Sequence, residues 1–286
     1  MIWIAWLALA TGAFVATLFG LAAYGASRWD AATKALLGRL EAARVPASAS
    51  RYDARELEDL PAPVQRYFRA VLKDGQRIIT AVTVEHTGTF NVSQTGEQWK
   101  PFTSVQRVVT RGPGFVWNAR MDIVPGLAVR VHDAYVGDEG RLHVAALGLF
   151  AIADFHGPGD IAKGELMRFF AEAVWYPTAL LPSQGVRWEA VDDHSANATL
   201  VDGKISLKLL FRFNDAGLIE SAEAEARGAT VGKTIVMIPW GVRTSNYQER
   251  DGMRVPVTGE AAWLPAQGRK PYWRGTITSL IYELSP

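Results

Sequence analysis

From Ser195 to Phe213 the chain reads SANATLVDGKISLKLLFRF, and its side chains change character with a period of two. Asp202-Gly203 in the middle is a strong hairpin signal, because glycine takes a positive φ without steric cost. Pairing Val201 with Lys204 puts Ala196, Ala198, Leu200, Ile205, Leu207, Leu209, Phe211 and Phe213 on one face. Asn197, Thr199, Lys204, Ser206, Lys208 and Arg212 share the other. An antiparallel sheet with one dry side and one wet side follows.

The turn Asn214 to Gly217 returns the chain, and Ala222, Ala224 and Ala226 are expected on the dry face of the next strand. Large residues then stand between alanines, which leaves a trough. Two fillings are consistent with it: a helix docked on the alanines, or an apolar ligand in a groove. For the second, the candidate binding residues are Leu207, Leu209, Phe211, Ala222 and Ala224, with Trp117 and Trp188. Ten tryptophans suit either an aromatic core or a cavity lining whose indole N–H groups find partners.

The same grammar runs from Ile78 to the C-terminus. The turn Gly137 to Gly140 is expected to pair Val136 with Arg141, and Arg250 to Met253 to set Glu249 opposite Arg254. Upstream, Met1 to Ser27 carries no charged side chain, and about 20 such residues span a bilayer as a helix. Trp3, Trp6, Tyr24 and Trp29 fall towards its ends, where aromatic rings prefer to sit. The reading is a single-pass anchor over 1–27, a juxtamembrane helix and linker over 28–50, and a sheet domain over 51–286 with helices near 56–72 and 160–176. The fold class is α+β: a transmembrane helix, then a curved antiparallel half-barrel with helices on its apolar face.

In the second helix Ala162, Leu166, Phe169, Phe170, Ala173 and Val174 form one stripe. Glu165, Arg168 and Glu172 fall opposite, so Arg168 and Glu172 read as an exposed i,i+4 pair. Trp175, Tyr176 and Pro177 form a corner expected to pack on a second element. Asp133 is different: its parity puts a carboxylate on the apolar face, and such an acid needs an arginine or backbone donors.

Chemistry is otherwise sparse. The absence of cysteine excludes thiolate nucleophiles and disulfides. Thirty basic against twenty-nine acidic residues give no field for nucleic acid. His132 and His143 share a polar face near Asp154 and His156, but in no recognised ligand spacing, and no metal site is assigned. No phosphate loop, dinucleotide fingerprint or hydrolase elbow is present, so no cofactor is expected.

The segments DLPAPVQRYFRAVL, GPGFVWNARM, EAVWYPTALLPSQGVRWEA, RVPVTGEAAWLP and PYWRGTI together resemble a bacterial family of membrane-anchored proteins of unknown function. That resemblance implies no activity and no catalytic residues. A fold-level resemblance to periplasmic lipoprotein-carrier half-barrels rests on the curved sheet, the proline-bounded helix exit and the F-x-F strand end before an N-D-x-G turn. It implies an apolar cavity facing the periplasm.

Three function classes stay open: an anchored module for a lipid or other apolar small molecule, an envelope enzyme using Asp133, Glu172 or the histidine pair, and a scaffold with a filled core. The expected location is the cell membrane. Arg28, Lys34, Arg39 and Arg44 after the span argue for a cytoplasmic body, whereas the carrier resemblance implies an extracytoplasmic one; the reading follows the latter.

Overall fold

Alternation of apolar and polar residues becomes, in the computed structural model, thirteen strands in one sheet. Residues 2–46, 48–93, 96–124, 127–231 and 234–286 are described. The strands are β1 (Ile79–Asn91), β2 (Trp99–Val109), β3 (Gly114–Val124), β4 (Leu127–Val136), β5 (Glu139–Ala146), β6 (Phe150–Gly157) and β7 (Arg187–Asp192), then β8 (Ser195–Asp202), β9 (Ile205–Phe213), β10 (Ile219–Val231), β11 (Thr234–Arg250), β12 (Met253–Trp263) and β13 (Lys270–Leu284). Helix α1 (Ile2–Ala42) precedes them, α2 (Ala62–Val71) leads into β1, and α3 (Asp160–Glu172) separates β6 from β7.

Every pairing is antiparallel, in the order β6-β5-β4-β3-β2-β1-β13-β12-β11-β10-β9-β8-β7. Strands adjacent in sequence pair everywhere except β6 and β7, and the first and last strands, β1 and β13, pair in the middle. The sheet is open, with β6 and β7 at its edges. It curls, because α3 packs against β3 to β6 on one wing and against β9 and β10 on the other. The wings meet where the Tyr135 hydroxyl donates to Asp202 Oδ2 at 2.7 Å.

Two hairpin registers differ from expectation. Asp202 pairs with Ile205, so Val201 faces Ser206 rather than Lys204. Val136 pairs with Glu139 rather than Arg141, because Gly137 and Asp138 both take positive φ, 59° and 65°, and form a two-residue turn. Both shifts are of two residues, so the face assignments survive. Glu249 does face Arg254. In β10 a bulge between Ala224 and Arg227 breaks the alternation. Ala226 therefore leaves the inner row and Arg227 turns inward, where it is buried.

Helix α1 is continuous from Ile2 to Ala42, through both the apolar run and the residues read as a juxtamembrane helix. Its C-terminal half lies on the outer face, where Leu36 and Leu40 cover Ala81, Val109, Val116, Ala134 and Val136. Its direction is set by contacts at both ends. Leu40 lies against Gly114 at the start of β3, and Gly25 lies against Leu147 and Leu149 in the β5–β6 turn. The apolar run from Ile2 therefore projects past the end of the sheet formed by Asn91, Trp99, Trp263 and Lys270.

Candidate functional site

Arg168, on α3, is the hub of the inner face. Its Nη1 donates to Asp133 Oδ2 at 2.6 Å, its Nε to Glu172 Oε1 at 2.7 Å, and its Nη2 to Gln106 Oε1 at 3.3 Å. Gln106 returns a bond from Nε2 to Glu172 Oε2 at 2.6 Å. The guanidinium carbon lies 4.9 Å from the ring centres of both Phe115 and Trp117. Burial works against the charge, but Glu172 and then Asp133 hold the Arg168 pKa above the ordinary guanidinium value.

One turn earlier on α3, Glu165 is buried with Arg227 Nη2 at 3.4 Å. Asp133 Oδ1 and Glu165 Oε2 are both buried and meet no N–H or O–H donor among the described residues. They satisfy each other if Glu165 keeps its proton and donates it to Asp133. Burial, followed by the Asp133 charge, raises the Glu165 pKa well above its usual value. Charge balance agrees: Arg168 and Arg227 then face the two carboxylates Asp133 and Glu172. Arg227 also lies 4.6 Å from the Trp240 ring centre, whose indole donates to the Tyr272 hydroxyl at 2.9 Å.

Beyond this network the inner face is aromatic. Trp175, just after α3, lies 4.9 Å from His86 and 6.3 Å from Trp273, and Phe102 joins Trp273 to Trp117 at 5.9 and 5.7 Å. Trp273 fits because Gly275 and Gly259 leave room: a Cβ on Gly275 would come within 2.4 Å of its ring. Gly88, Gly275 and Gly259 face one another across β1, β13 and β12. The indole N–H groups of Trp117, Trp175 and Trp273 and the Nε2 of His86 are buried without a hydrogen-bond partner among the described residues. Burial, then the Arg168 charge, lowers the His86 pKa to about 3, so the ring is neutral. Phe90, Trp263 and Tyr272 are partly buried against this cluster, at the sheet end past which α1 projects.

Residues 58–282 match a family of unknown function, DUF6920. The chain belongs to that family. No curated protein matches it. Among solved structures, a LolA superfamily protein of Nitrosomonas europaea is 12% identical, with 78% of this chain and 93% of that one covered at a TM-score of 0.36. A Vibrio parahaemolyticus domain named for outer membrane lipoprotein sorting is also 12% identical, with 81% and 92% covered at a TM-score of 0.35.

In this DUF6920 chain the residues singled out from sequence fall in three places. Leu207, Leu209, Phe211, Ala222 and Ala224 are buried on the β9–β10 wing, where Phe170 of α3 and Trp188 reach Phe211 at 5.8 and 5.2 Å. Trp117 lies on the opposite wing beside Arg168. Asp133 points inward and is 15% exposed.

Glu172 requires a correction: the expected exposed pair is buried, with Glu172 only 8% exposed. The curled sheet covers both sides of α3, and the stripe that looks solvated meets polar partners on strands. The His132–His143 pair is covered too. Trp29 stacks on His132 at 3.9 Å, and Thr33 Oγ1 lies 2.7 Å from its Nε2. His143 and His156 approach Asp154 at 3.3 and 3.7 Å, but no group of three His, Asp or Glu among the described residues is arranged to hold a metal ion. The sequence reading put Glu165 on the wet stripe, where it is instead buried, and missed Gln106, Arg227 and His86. For His86 and Gln106 the signal was inner parity on β1 and β2; for Arg227 the bulge hid it.

Proposed function

We propose that this chain is a membrane-anchored binding module that takes an apolar ligand bearing a hydrogen-bond acceptor, of the lipid class, against the aromatic part of its inner sheet face. The observation that carries this reading is one aromatic cluster, Trp175 and Trp273 against His86 with Trp117 joined through Phe102, whose three buried indole N–H groups have no partner among the described residues. Buried indoles ordinarily find an acceptor, and a carbonyl or ester oxygen supplies one without charge. Arg168 is already bound by the carboxylates of Asp133 and Glu172, so it is not free for an anionic headgroup.

Access would come from the strand ends carrying Phe90, Trp263 and Tyr272, on the side towards which the apolar run of α1 points. That run is long and apolar enough to cross a bilayer, and none of its most apolar window is buried against the rest of the chain. An extracytoplasmic body is the sidedness that we carry forward. The alanine-flanked row Leu207, Leu209, Phe211, Ala222 and Ala224 would border the same site behind α3.

A second reading, the filled scaffold, is favoured by Phe170 and Trp188 against Phe211. Native mass spectrometry of the full chain released from membranes separates the two. A lipid-sized adduct, lost on Trp273→Ala while the fold is retained, supports the module. No adduct, together with a destabilised Ala224→Phe variant, supports the scaffold, because a ring added to a filled core costs about 1–3 kcal/mol.

A further inference from the structure

We propose that the β5–β6 end of the sheet is a second membrane contact, with Phe150 and Ile152 seated in the interfacial layer of the bilayer that α1 spans. This rests on the reading of α1 as an anchor. The link between the two is Gly25. A Cβ there would meet the Leu147 carbonyl oxygen at 2.1 Å and Leu149 Cγ at 2.8 Å, so the turn between β5 and β6 is seated directly on the helix backbone. Gly148 in that turn takes φ +71°, and a Cβ on it would lie 2.8 Å from the Gly25 carbonyl oxygen.

Gly25 lies inside the uncharged run, which ends where Arg28 begins. At 1.5 Å per residue the two are separated by about 4.5 Å along the axis. If the helix spans, the turn is therefore held at the level of its last apolar turn. Tyr24, 61% exposed, stands at the same level, where aromatic side chains mark the interface.

Phe150 and Ile152 leave that turn 60% and 63% exposed. They belong to β6, an edge strand with no partner strand on one side among the described residues. In water an apolar edge is a template for pairing with another chain; interfacial lipid covers its side chains. The occupant is thus set by position, since a surface fixed to the end of a spanning helix cannot avoid the headgroup layer.

The absence of cysteine makes the test direct. The full chain is reconstituted in phosphatidylcholine–phosphatidylglycerol vesicles with one spin label at Ile152→Cys, Phe14→Cys or Asp215→Cys. Collisions with oxygen, which enters lipid, are compared with those of a water-soluble nickel chelate. The expected result is an oxygen-to-nickel ratio at Ile152→Cys several-fold above that at Asp215→Cys and approaching that at Phe14→Cys.

A ratio at Ile152→Cys equal to that at Asp215→Cys, with Phe14→Cys in lipid, overturns the docking surface and leaves the anchor. Low collision with both reagents at Ile152→Cys overturns it in favour of edge pairing between two copies. Nickel access at Phe14→Cys overturns the anchor itself.

Discussion

Arg168 on α3 and Asp133 on β4 meet at 2.6 Å across the interior of the curled sheet. The same guanidinium binds Glu172 at 2.7 Å, so one side chain ties the buried helix to both its own next turn and a strand. Arg168→Ala leaves two carboxylates without their counter-charge and should cost about 3–5 kcal/mol. Glu172→Ala should cost roughly 1–3 kcal/mol by orphaning Gln106 Nε2 and an Arg168 donor. Urea titration measures both. A Glu172→Ala variant within about 0.5 kcal/mol of wild type would restore the exposed-pair reading.

Glu165 should behave as a neutral acid. Its folded pKa is raised by burial and by the Asp133 charge. A raised carboxyl pKa contributes stability that is whole below the unfolded value, about 4.5, and is lost as pH rises through the folded value. Glu165→Gln keeps a neutral donor for Asp133 and titrates nowhere, so as pH rises above the unfolded value its melting temperature should fall less than that of wild type. An unchanged pH slope in the variant would mean that Glu165 is ionised and that no proton is shared.

The helices and the sheet were legible because the hairpin at Asp202-Gly203 and the apolar run before Arg28 each rest on local chemistry. A two-residue turn error leaves faces intact, so the inner row was readable although its register was not. The buried network was not legible, since whether Glu172 is wet depends on whether the sheet curls over α3. That curl comes from contacts between distant segments, such as Tyr135 with Asp202. The α1 packing was hidden for a related reason: Val109, Val116 and Val136 lie on the outer face beside His132, which was read as polar, and they are covered by Leu36 and Leu40.

His86 gives the opposite pH dependence. Its pKa is lowered to about 3 by burial and then by Arg168. Its contribution is therefore whole above the unfolded value, about 6.5, and is lost as pH falls towards about 3. His132, lowered to about 3 by burial and then by His143, adds to the same window. Between about pH 6.5 and about pH 4 the urea midpoint of wild type should fall. His86→Phe should remove part of that slope. A variant with the full slope would place the acid sensitivity at other groups.

The final prediction separates the two halves of α1. Removing residues 2–24 deletes the apolar run, whose most apolar window is not buried against the rest of the chain, and keeps the contact of Gly25 with Leu147 and Leu149. The remaining chain should fold with a urea midpoint close to that of the full protein. Removing residues 2–43 also deletes Trp29, which donates to Asn118 Oδ1 at 2.9 Å, and uncovers Val109, Val116 and Val136 beneath Leu36 and Leu40. Burial of a leucine contributes about 1.5–3 kcal/mol, so the longer deletion should cost on the order of 5 kcal/mol. Equal stability of the two truncated forms would show that the second half of α1 does not hold the outer face. Loss of folding in the shorter deletion would show that the apolar half belongs to the folded body and is not a separate anchor.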